Sequence, residues 1–392
     1  MKHLYLIAVA ASLLLATQTR RLELIYDGPS GPPFYKWAAQ GPDAQLRSAI
    51  PLVAVERGVR GASIVRRSRE SGTEVSRRVL PAGQRAYVSP YWDHVAVVLP
   101  TDEGTGPLSV EDSVGRVLFS RADVQGLSPT PIGVYIESHG EGAPAGRKNK
   151  LRIFSAAGDS IGAIDGAWLV DGSQMRPLMN DTVVAVSVLL NAESTAAMGV
   201  SKSGRVFQIK KYARPAHIAA MPLGRVLAVS YAGQVDVLDI AGRTLYHETF
   251  LKDTYVIPDV AFSPKGDLLA ASYPESPEPI HYAPLVDSIP SVMKVIDLGQ
   301  NAVIAECRFA GRPYFLACGP DGQSFVLMTG GQDLRLVNSH AVPTDSIRIP
   351  MSMVRQLRDV TLRGSTVVIT GDNRVLCYRI VEGEFGGHNK RL

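Results

Sequence analysis

The chain has 392 residues, enough for two ordinary domains or one large repeat domain. Hydrophobic residues make up 45% of it and charged residues 20%, a balance that excludes an extensively disordered chain. The formal charge is +4, from 41 basic and 37 acidic residues, and this excess is too small to predict nucleic-acid binding.

The N-terminal residues 1–19 predict a secretory signal. Lys2 supplies the positive start, and Leu4 to Ala16 form an apolar run that is shorter than the roughly 20 residues needed to span a bilayer. This pattern favours an exported protein, periplasmic or extracellular, and the alternatives are a short membrane anchor or a cytoplasmic chain. No later segment is long and apolar enough to span, so we expect no transmembrane segment in the mature chain.

Residues 20–49 are expected to form an N-terminal extension, in which "RLELIYDG" (21–28) has the composition of a strand. An arginine-rich stretch follows at 54–80. One interpretation is a basic face for an anionic partner. The interleaved Glu56, Glu70 and Glu74 favour the other interpretation, a solvated outer strand whose charges discourage edge-to-edge aggregation.

A turn motif recurs along the second half of the chain between short apolar runs, as in "VAFSPKGDLLAAS" (260–272). Its glycines are separated by 42, 56 and 42 residues, and the long interval contains a Pro-rich insertion. Weaker counterparts lie near Ile50, Asp93, Gly133 and Asp181. The repeating motifs are Pro222-Leu223-Gly224, Pro264-Lys265-Gly266, Pro320-Asp321-Gly322 and the turn at Gly364.

A period of about 40–45 residues with four short strands per unit predicts the blades of a β-propeller over residues 50–382. The fold class is therefore all-β: a single propeller of seven or eight four-stranded antiparallel blades. The last unit lacks a fourth strand before the polar tail at 383–392, so we expect an N-terminal strand to close the ring. Closure by 21–28 predicts eight blades, and closure by "GTEVSRRVL" (72–80) predicts seven.

Two insertions predict a binding rim. "SHGEGAPAGRKNK" (138–150) is basic, and "PESPEPIHYAPLVDSIP" (274–290) is acidic and aromatic. Both join a second strand to a third, so they lie on one rim of a propeller, opposite the Pro-x-Gly turns. Ligands of rigid scaffolds usually meet such loops, and idle surface insertions are the alternative. The predicted rim residues are His139, Arg147, Lys148, Lys150, Glu275, Glu278, His281 and Tyr282.

The runs "VAFSPKGDLLAAS…MKVIDL" and "YAGQVDVLDIAGRTL" resemble the WD-repeat-like and YVTN-type β-propellers of bacteria. The resemblance covers about residues 215–380. The chain lacks the Gly-His and Trp-Asp signatures of true WD repeats, so the Asp–His network of those repeats is not expected. What the resemblance implies is a fold used mostly for binding and scaffolding and sometimes for catalysis.

The sequence predicts no cofactor and no metal site. It contains no HExxH, P-loop or GxSxG motif, and its histidines are not spaced as metal-ligand pairs. The three cysteines, Cys307, Cys318 and Cys377, are too few for a disulfide framework, and we expect buried thiols. A bridge between Cys307 and Cys318 stays open.

Two functions follow as hypotheses. The first is an exported, non-enzymatic propeller that binds a protein or glycan, or serves as a subunit of an envelope assembly. The alternative is a propeller hydrolase or lactonase that uses Arg, His and Glu side chains at the channel mouth. Three or more titratable side chains converging there would favour the enzyme. The oligomeric state is not predicted.

Overall fold

A computed structural model describes the chain in segments that together contain one helix, α1 (Pro32–Gln40), and 32 strands. The described residues are 20–30, 32–40, 50–58, 61–88, 93–98, 106–124, 127–130, 132–139, 150–165, 168–169, 176–178, 182–191, 194–214, 216–220, 224, 226–252, 254, 256–275, 289–330, 332–350, 352, 357–371 and 374–382. The proposed signal and the polar tail at 383–392 lie outside them. None of the described helices is long and apolar enough to cross a membrane.

The strands form eight antiparallel sheets, and each sheet is one blade numbered in chain order. The first three blades are as follows. Blade 1 contains β2 (Val53–Gly58), β3 (Gly61–Arg67) and β4 (Glu74–Val79). Blade 2 contains β5 (Arg85–Val88), β6 (His94–Val98), β7 (Gly106–Asp112) and β8 (Val117–Val124). Blade 3 contains β9 (Leu127–Pro129), β10 (Tyr135–His139), β11 (Lys150–Phe154) and β12 (Ser160–Asp165).

Blades 4 and 5 follow. Blade 4 contains β13 (Trp168–Leu169), β14 (Arg176–Leu178), β15 (Val183–Asn191), β16 (Ser194–Ser201) and β17 (Val206–Tyr212). In that blade β13 and β14 both pair with β15 and share the place of a first strand. Blade 5 contains β18 (Ala216–Ala220), β19 (Val226–Tyr231), β20 (Gln234–Asp239) and β21 (Thr244–Thr249).

Blades 6 and 7 have the same plan. Blade 6 contains β22 (Asp259–Phe262), β23 (Leu268–Pro274), β24 (Pro290–Asp297) and β25 (Ala302–Ala310). Blade 7 contains β26 (Pro313–Cys318), β27 (Ser324–Thr329), β28 (Asp333–Asn338) and β29 (Pro343–Arg348). Within each of these blades the strands pair in sequence order.

Blade 8 closes the ring with a strand from the other end of the chain. It contains β30 (Leu357–Arg363), β31 (Thr366–Gly371), β32 (Arg374–Glu382) and β1 (Arg20–Pro29). β1 pairs antiparallel with β32, and Arg20 lies opposite Glu382. The closing strand is therefore the 21–28 segment, and the alternative segment at 72–80 contains β4, the last of the three described strands of blade 1. The described residues contain eight blades, as closure by 21–28 predicts.

The core lies between the blades, because a single four-stranded sheet has two apolar faces to cover. Eight buried apolar clusters fill the junctions among the described residues. The second strands are covered on both sides, so runs such as β23 are buried throughout. α1 packs on blade 8 through Phe34 and Ala38, together with Ile50 and Cys377.

Turn chemistry defines the two ends of each blade. The strands alternate in direction, so the turns from first to second strand and from third to fourth strand lie at one end, here the lower rim. The connections from second to third strand and the links between blades lie at the other end, the upper rim. Gly266, Gly322 and Gly364 all have positive φ, at 74°, 70° and 54°, which explains the recurring glycine.

A second turn signature lies where the third strand ends. The side chain of an Asp, Asn or Ser there accepts hydrogen bonds from backbone N–H groups of the turn that follows, as in Asx turns. In blade 5, Asp239 Oδ1 accepts from the N–H groups of Ala241 and Arg243, at 3.0 and 2.9 Å. The equivalent residues in other blades are Asp112, Ser155, Ser201, Asp297 and Asn338.

Candidate binding site

The upper rim contains the predicted rim residues that the structure describes. Lys150 begins β11, and its Nζ lies 3.4 Å from Asp165 Oδ1 on the neighbouring strand. Glu275 follows β23, and its Oε1 lies 2.9 Å from Arg308 Nε on β25. Each of these two residues therefore pairs within its own blade.

The other predicted rim residues are less fully described. His139 ends β10 and lies opposite Lys150 in the strand register. Arg147, Lys148, Glu278, His281 and Tyr282 lie outside the described residues. That these eight residues form one binding surface stays a prediction.

The connections at the upper rim differ strongly in length. Those of blades 3 and 6 run over 140–149 and 275–289, while that of blade 5 is the two-residue turn Ala232-Gly233. At the lower rim, the third-to-fourth-strand turns of blades 2 to 7 contain four or five residues, such as 113–116 in blade 2 and 339–342 in blade 7. The variable part of this scaffold is therefore its upper rim.

A polar network lies at the junction of blades 4 and 5. It is centred on Asp236 in β20, whose side chain is 2% exposed. Lys210 on β17 donates from Nζ to Asp236 Oδ2 at 2.7 Å, and His247 Nδ1 lies 2.8 Å from Asp236 Oδ1. Tyr212 and Tyr231 donate their hydroxyls to Oδ2 at 3.2 and 3.4 Å. The buried carboxylate is thus paired and hydrogen-bonded, as burial of a charge requires.

The two tyrosines of this network pack on each other, with ring centroids 4.5 Å apart. Burial, with the nearby Asp236 carboxylate, raises the pKa of Tyr231 to about 12 and that of Tyr212 further. Both phenols are therefore neutral donors at physiological pH. Sequence reasoning missed this cluster, although one signal was visible: an aspartate inside the apolar strand "QVDVLD".

A pocket opens at the upper rim beside this network. It has a volume of about 180 Å³ and is lined by Ala213, Arg214, Tyr231, Ala232 and Gln234. Arg214 belongs to the link between blades 4 and 5, and it donates from Nη1 to the carbonyl of Thr254 at 2.9 Å. The pocket therefore lies between the inter-blade link and the hairpin turn of blade 5.

One described titratable group on a first strand, near the ring axis, has a strongly raised pKa. Asp259 begins β22, a first strand, and burial raises its pKa to about 6 although the positive charge of Arg312 opposes the shift. Arg312 lies directly before β26, the first strand of the next blade. The larger network around Asp236 involves second, third and fourth strands, further from the axis than the first strands.

The described residues contain no group of three or more His, Cys, Asp or Glu side chains that could hold a metal ion. His94 Nδ1 lies 2.8 Å from Asp93 Oδ1 at the lower rim, and this hydrogen bond raises the pKa of His94. Cys307, Cys318 and Cys377 are free thiols, so Cys307 and Cys318 do not pair here. Burial raises the pKa of Cys318 and Cys377 to about 12.

The arginine-rich stretch is held in ion pairs between and within blades. Arg66 on β3 and Arg78 on β4 both donate to Glu111 on β7, at 2.5 and 2.7 Å. Arg67 and Arg77 donate to Glu56. These four arginines are paired with carboxylates and do not form a uniformly basic face.

Comparison with known proteins places the fold. The structure is similar to the C-terminal WD40 domain of Sif2, with a TM-score of 0.56 and 11% identity over 92% of this chain and 98% of that one. It is also similar to BamB from Moraxella catarrhalis, with a TM-score of 0.55 and 11% identity over 93% and 99%. For Chaetomium thermophilum Sqt1, bound to the N-terminus of the ribosomal protein L10, the values are 0.53 and 14% over 85% and 94%.

These likenesses show that the chain has the β-propeller fold of WD-repeat-like proteins. No protein-family model and no curated protein matches its sequence. The same fold also occurs in an enzyme, the dihydro-heme d1 dehydrogenase NirN in complex with DHE, at a TM-score of 0.51 and 14% identity over 84% and 71%. The fold alone therefore does not decide between binding and catalysis.

Proposed function

We propose that this chain is an exported, non-enzymatic β-propeller that binds a partner protein through its upper rim, as a subunit of an envelope assembly. The export part rests on the apolar run from Leu4 to Ala16, which has the length of a signal peptide core. The binding part rests on the geometry of the ring.

One observation carries the proposal: the upper rim is built from connections of very unequal length, while the third-to-fourth-strand turns of the lower rim are uniformly short. Binding residues of rigid scaffolds are concentrated on such variable loops. The upper rim also contains the pocket beside Arg214. Sqt1, which has the same fold, was solved bound to the N-terminus of a ribosomal protein, and this supports a protein as partner.

In the hydrolase alternative, Asp259 would be the candidate catalytic carboxyl group, since a raised pKa is typical of functional carboxyl groups. Among the described residues, Arg312 is the charged group whose electrostatic interaction changes the pKa of Asp259, and it lowers that pKa. A hydrolytic site needs a nucleophile, a base and a group that stabilises the transition state, each in reach of the others. Binding is therefore the function that the described geometry supports best.

The test is capture by the immobilised chain, with residues 20–382 compared with a variant in which 276–288 is replaced by Gly-Ser-Gly. Both are incubated with envelope and cytoplasmic fractions of cells that carry the gene, and retained proteins are identified by mass spectrometry. We expect the intact chain to retain a protein from the envelope fraction and the variant to retain at least tenfold less. Folding should be preserved, because surface loops contribute little to stability.

The matched control is Lys265→Ala at the lower rim, an exposed turn residue that should leave capture unchanged. Equal capture by the loop variant, or loss of capture in the Lys265→Ala chain, would place the partner elsewhere and overturn the role of the upper rim. A partner retained from the cytoplasmic fraction alone would overturn export. Retention of no protein at all would overturn the proposed function.

A further inference from the structure

Three buried hydroxyl groups lie at the upper end of the junction between blades 6 and 7. They belong to Ser272 on β23, Ser291 on β24 and Thr329 on β27, and each of these residues is 0% exposed. None of the three hydroxyl oxygens has a hydrogen-bond partner among the described residues, and they do not bond each other. Buried polar atoms in proteins are paired with protein atoms or with ordered water. These hydroxyls therefore need a partner other than the described chain.

The three hydroxyls face the same space between the two blades. Alternate residues of a strand share one face of the sheet. The residues two positions away from them, Ala270, Met293 and Leu327, all belong to the apolar cluster between blades 6 and 7. The hydroxyls continue these three rows towards the upper rim, and they form a polar layer above the apolar core of the junction.

Two charged groups border the polar layer. Asp259 on β22 lies directly opposite Ser272 in the strand register, so its side chain shares the face of that serine. Arg335 of blade 7 lies over the ring of Phe309, 5.8 Å from the ring centroid, and Phe309 is opposite Ser291. Arg335 Nε is a fourth buried atom that has no hydrogen-bond partner in the described part of the chain. The layer thus combines an acceptor, a donor and three hydroxyls that can be both.

Blade 4 shows how a direct contact pairs such a hydroxyl. Ser187 on its second strand donates to the carbonyl of Ala216, the first residue of the next blade, at 2.8 Å. By strand register Ser272 is the corresponding residue of blade 6. The strand that follows it, β26, has an irregular register between Pro313 and Phe315, and Ser272 makes no such bond.

The chemistry of the layer favours water over an ion. The positive charge of Arg312 acts on the Asp259 carboxyl, and with Arg335 it disfavours a bound cation. A buried anion would be repelled by the Asp259 carboxylate. Water is neutral, both donates and accepts, and makes about three hydrogen bonds when it is buried in a protein.

We propose that this polar layer is a binding site for ordered water, which links the hydroxyls of Ser272 and Ser291 in blade 6 to that of Thr329 in blade 7. The carboxyl of Asp259 accepts a hydrogen bond from the same water. Ser291 lies two residues after the long connection over 275–289, so the water also fixes the base of that connection. This site does not depend on the proposed binding function.

The direct test is a crystal structure of the intact chain at a resolution that shows ordered water. We expect at least one water molecule within hydrogen-bond distance of two of the three hydroxyls. Hydroxyls that bond protein atoms instead, a layer without water, or a metal ion or anion in it would each overturn the proposal.

Melting temperatures give a second test. Ser272→Ala should lower the melting temperature by about 1–3 °C, because a hydroxyl bonded to water contributes to stability. An unpaired hydroxyl is unfavourable in a protein interior, so without water the same substitution would raise it. An unchanged or higher melting temperature would therefore contradict the water site. The matched control is Ser187→Ala, which removes a hydroxyl that has a protein partner and should lower the melting temperature.

Double variants test whether the two blades share the water. Ser272→Ala combined with Thr329→Val should lower the melting temperature by less than the sum of the single effects, since the first substitution already disturbs the shared water. Ser272→Ala combined with Ser187→Ala is the control, and its effects should add because the two residues lie in separate junctions. Additive effects in both pairs would show that no water links Ser272 to Thr329.

Discussion

At the scale of residues, one position of the third strand contacts the preceding blade in blades 5, 6 and 7. In blades 6 and 7 it carries Lys294 and Arg335, which lie 5.4 and 5.8 Å from the ring centres of Phe250 and Phe309 in the preceding blades. In blade 5 it carries Asp236, which pairs with Lys210 of blade 4. The same position of the repeat thus carries a cation in two blades and an anion in a third. Each charge contacts a complementary side chain of the preceding blade, an aromatic ring for the cations and Lys210 for the anion.

Asp259 provides a prediction on pH dependence. Its pKa is raised to about 6 in the folded chain, whereas an aspartate in the unfolded chain titrates near about 3.9. The folded state therefore keeps its proton longer, and the free energy of unfolding falls as the pH rises from about 4 through 6. Asp259→Asn should be more stable than the parent chain at pH 7.5, by about 1–2 kcal/mol, since the amide carries no charge to bury.

The measurement is urea denaturation of both chains at pH 4, 6 and 7.5. The difference in the free energy of unfolding between the two chains should shrink towards pH 4, where the parent carboxyl is protonated in the folded state. The measurement at pH 4 is therefore the internal control. A constant difference at the three pH values would mean that packing, and not the charge of Asp259, decides the effect.

At the scale of elements, β1 is the part of the fold that depends most on distant partners. Leu22 lies in the apolar cluster between blades 7 and 8 and is 6% exposed, and its backbone N–H donates to Asp345 Oδ2 at 2.6 Å. Asp27 on β1 forms an ion pair with Arg374 on the neighbouring strand β32, and this contact lowers the pKa of Asp27. Apolar packing of Leu22, its backbone hydrogen bond to Asp345 and the ion pair of Asp27 therefore hold β1 in the ring.

Substitutions in β1 should separate these contributions. Leu22→Ala should lower the free energy of unfolding by about 2–4 kcal/mol, because it removes buried methyl groups and leaves a cavity. Leu24→Ala is the matched control on the same strand, since Leu24 is 49% exposed and should cost about 0.5 kcal/mol or less. The measurement is equilibrium urea unfolding followed by circular dichroism. Equal losses in the two variants would contradict the closure of the ring by this strand.

At the scale of the whole molecule, the ring is a series of similar junctions, and the first and last strands of the described chain, β1 and β32, lie next to each other. Arg20 at the start of β1 faces Glu382 at the end of β32. A short turn between these two residues would give blade 8 the third-to-fourth connection that the other blades have. We therefore expect the position of the break in the ring to have little effect on its stability.

A circular permutant tests this view. Glu382 is joined to Arg20 by Ile-Ala-Gly-Arg, the turn of blade 5 at residues 240–243, and the chain is opened within 276–288. We expect it to fold with a melting temperature within about 5 °C of the parent, because the same junctions form. A permutant opened between Met293 and Lys294, inside a buried strand, is the control and should be strongly destabilised. Similar melting temperatures for the two permutants would contradict the assigned blade limits.

The sequence by itself determined the features that depend on neighbouring residues. The glycine in several first turns, the apolar second strand and the aspartate that ends several third strands recur because each solves a local problem: positive φ, burial on both faces and capping of a turn. These signals predicted an all-β propeller and the position of its long connections. They also identified both 21–28 and 72–80 as strands, and both are strands, β1 and β4.

Only the tertiary structure decided which of these strands closes the ring, because β1 pairs with residues more than 340 positions away. The network of Asp236, Lys210 and His247 was hidden for the same reason, since its residues come from three strands of two blades. Burial of Arg66 against Glu111 likewise depends on the neighbouring blade. Contacts between neighbouring residues specify the fold of each blade. Contacts between blades decide which charged side chains are buried and how they pair.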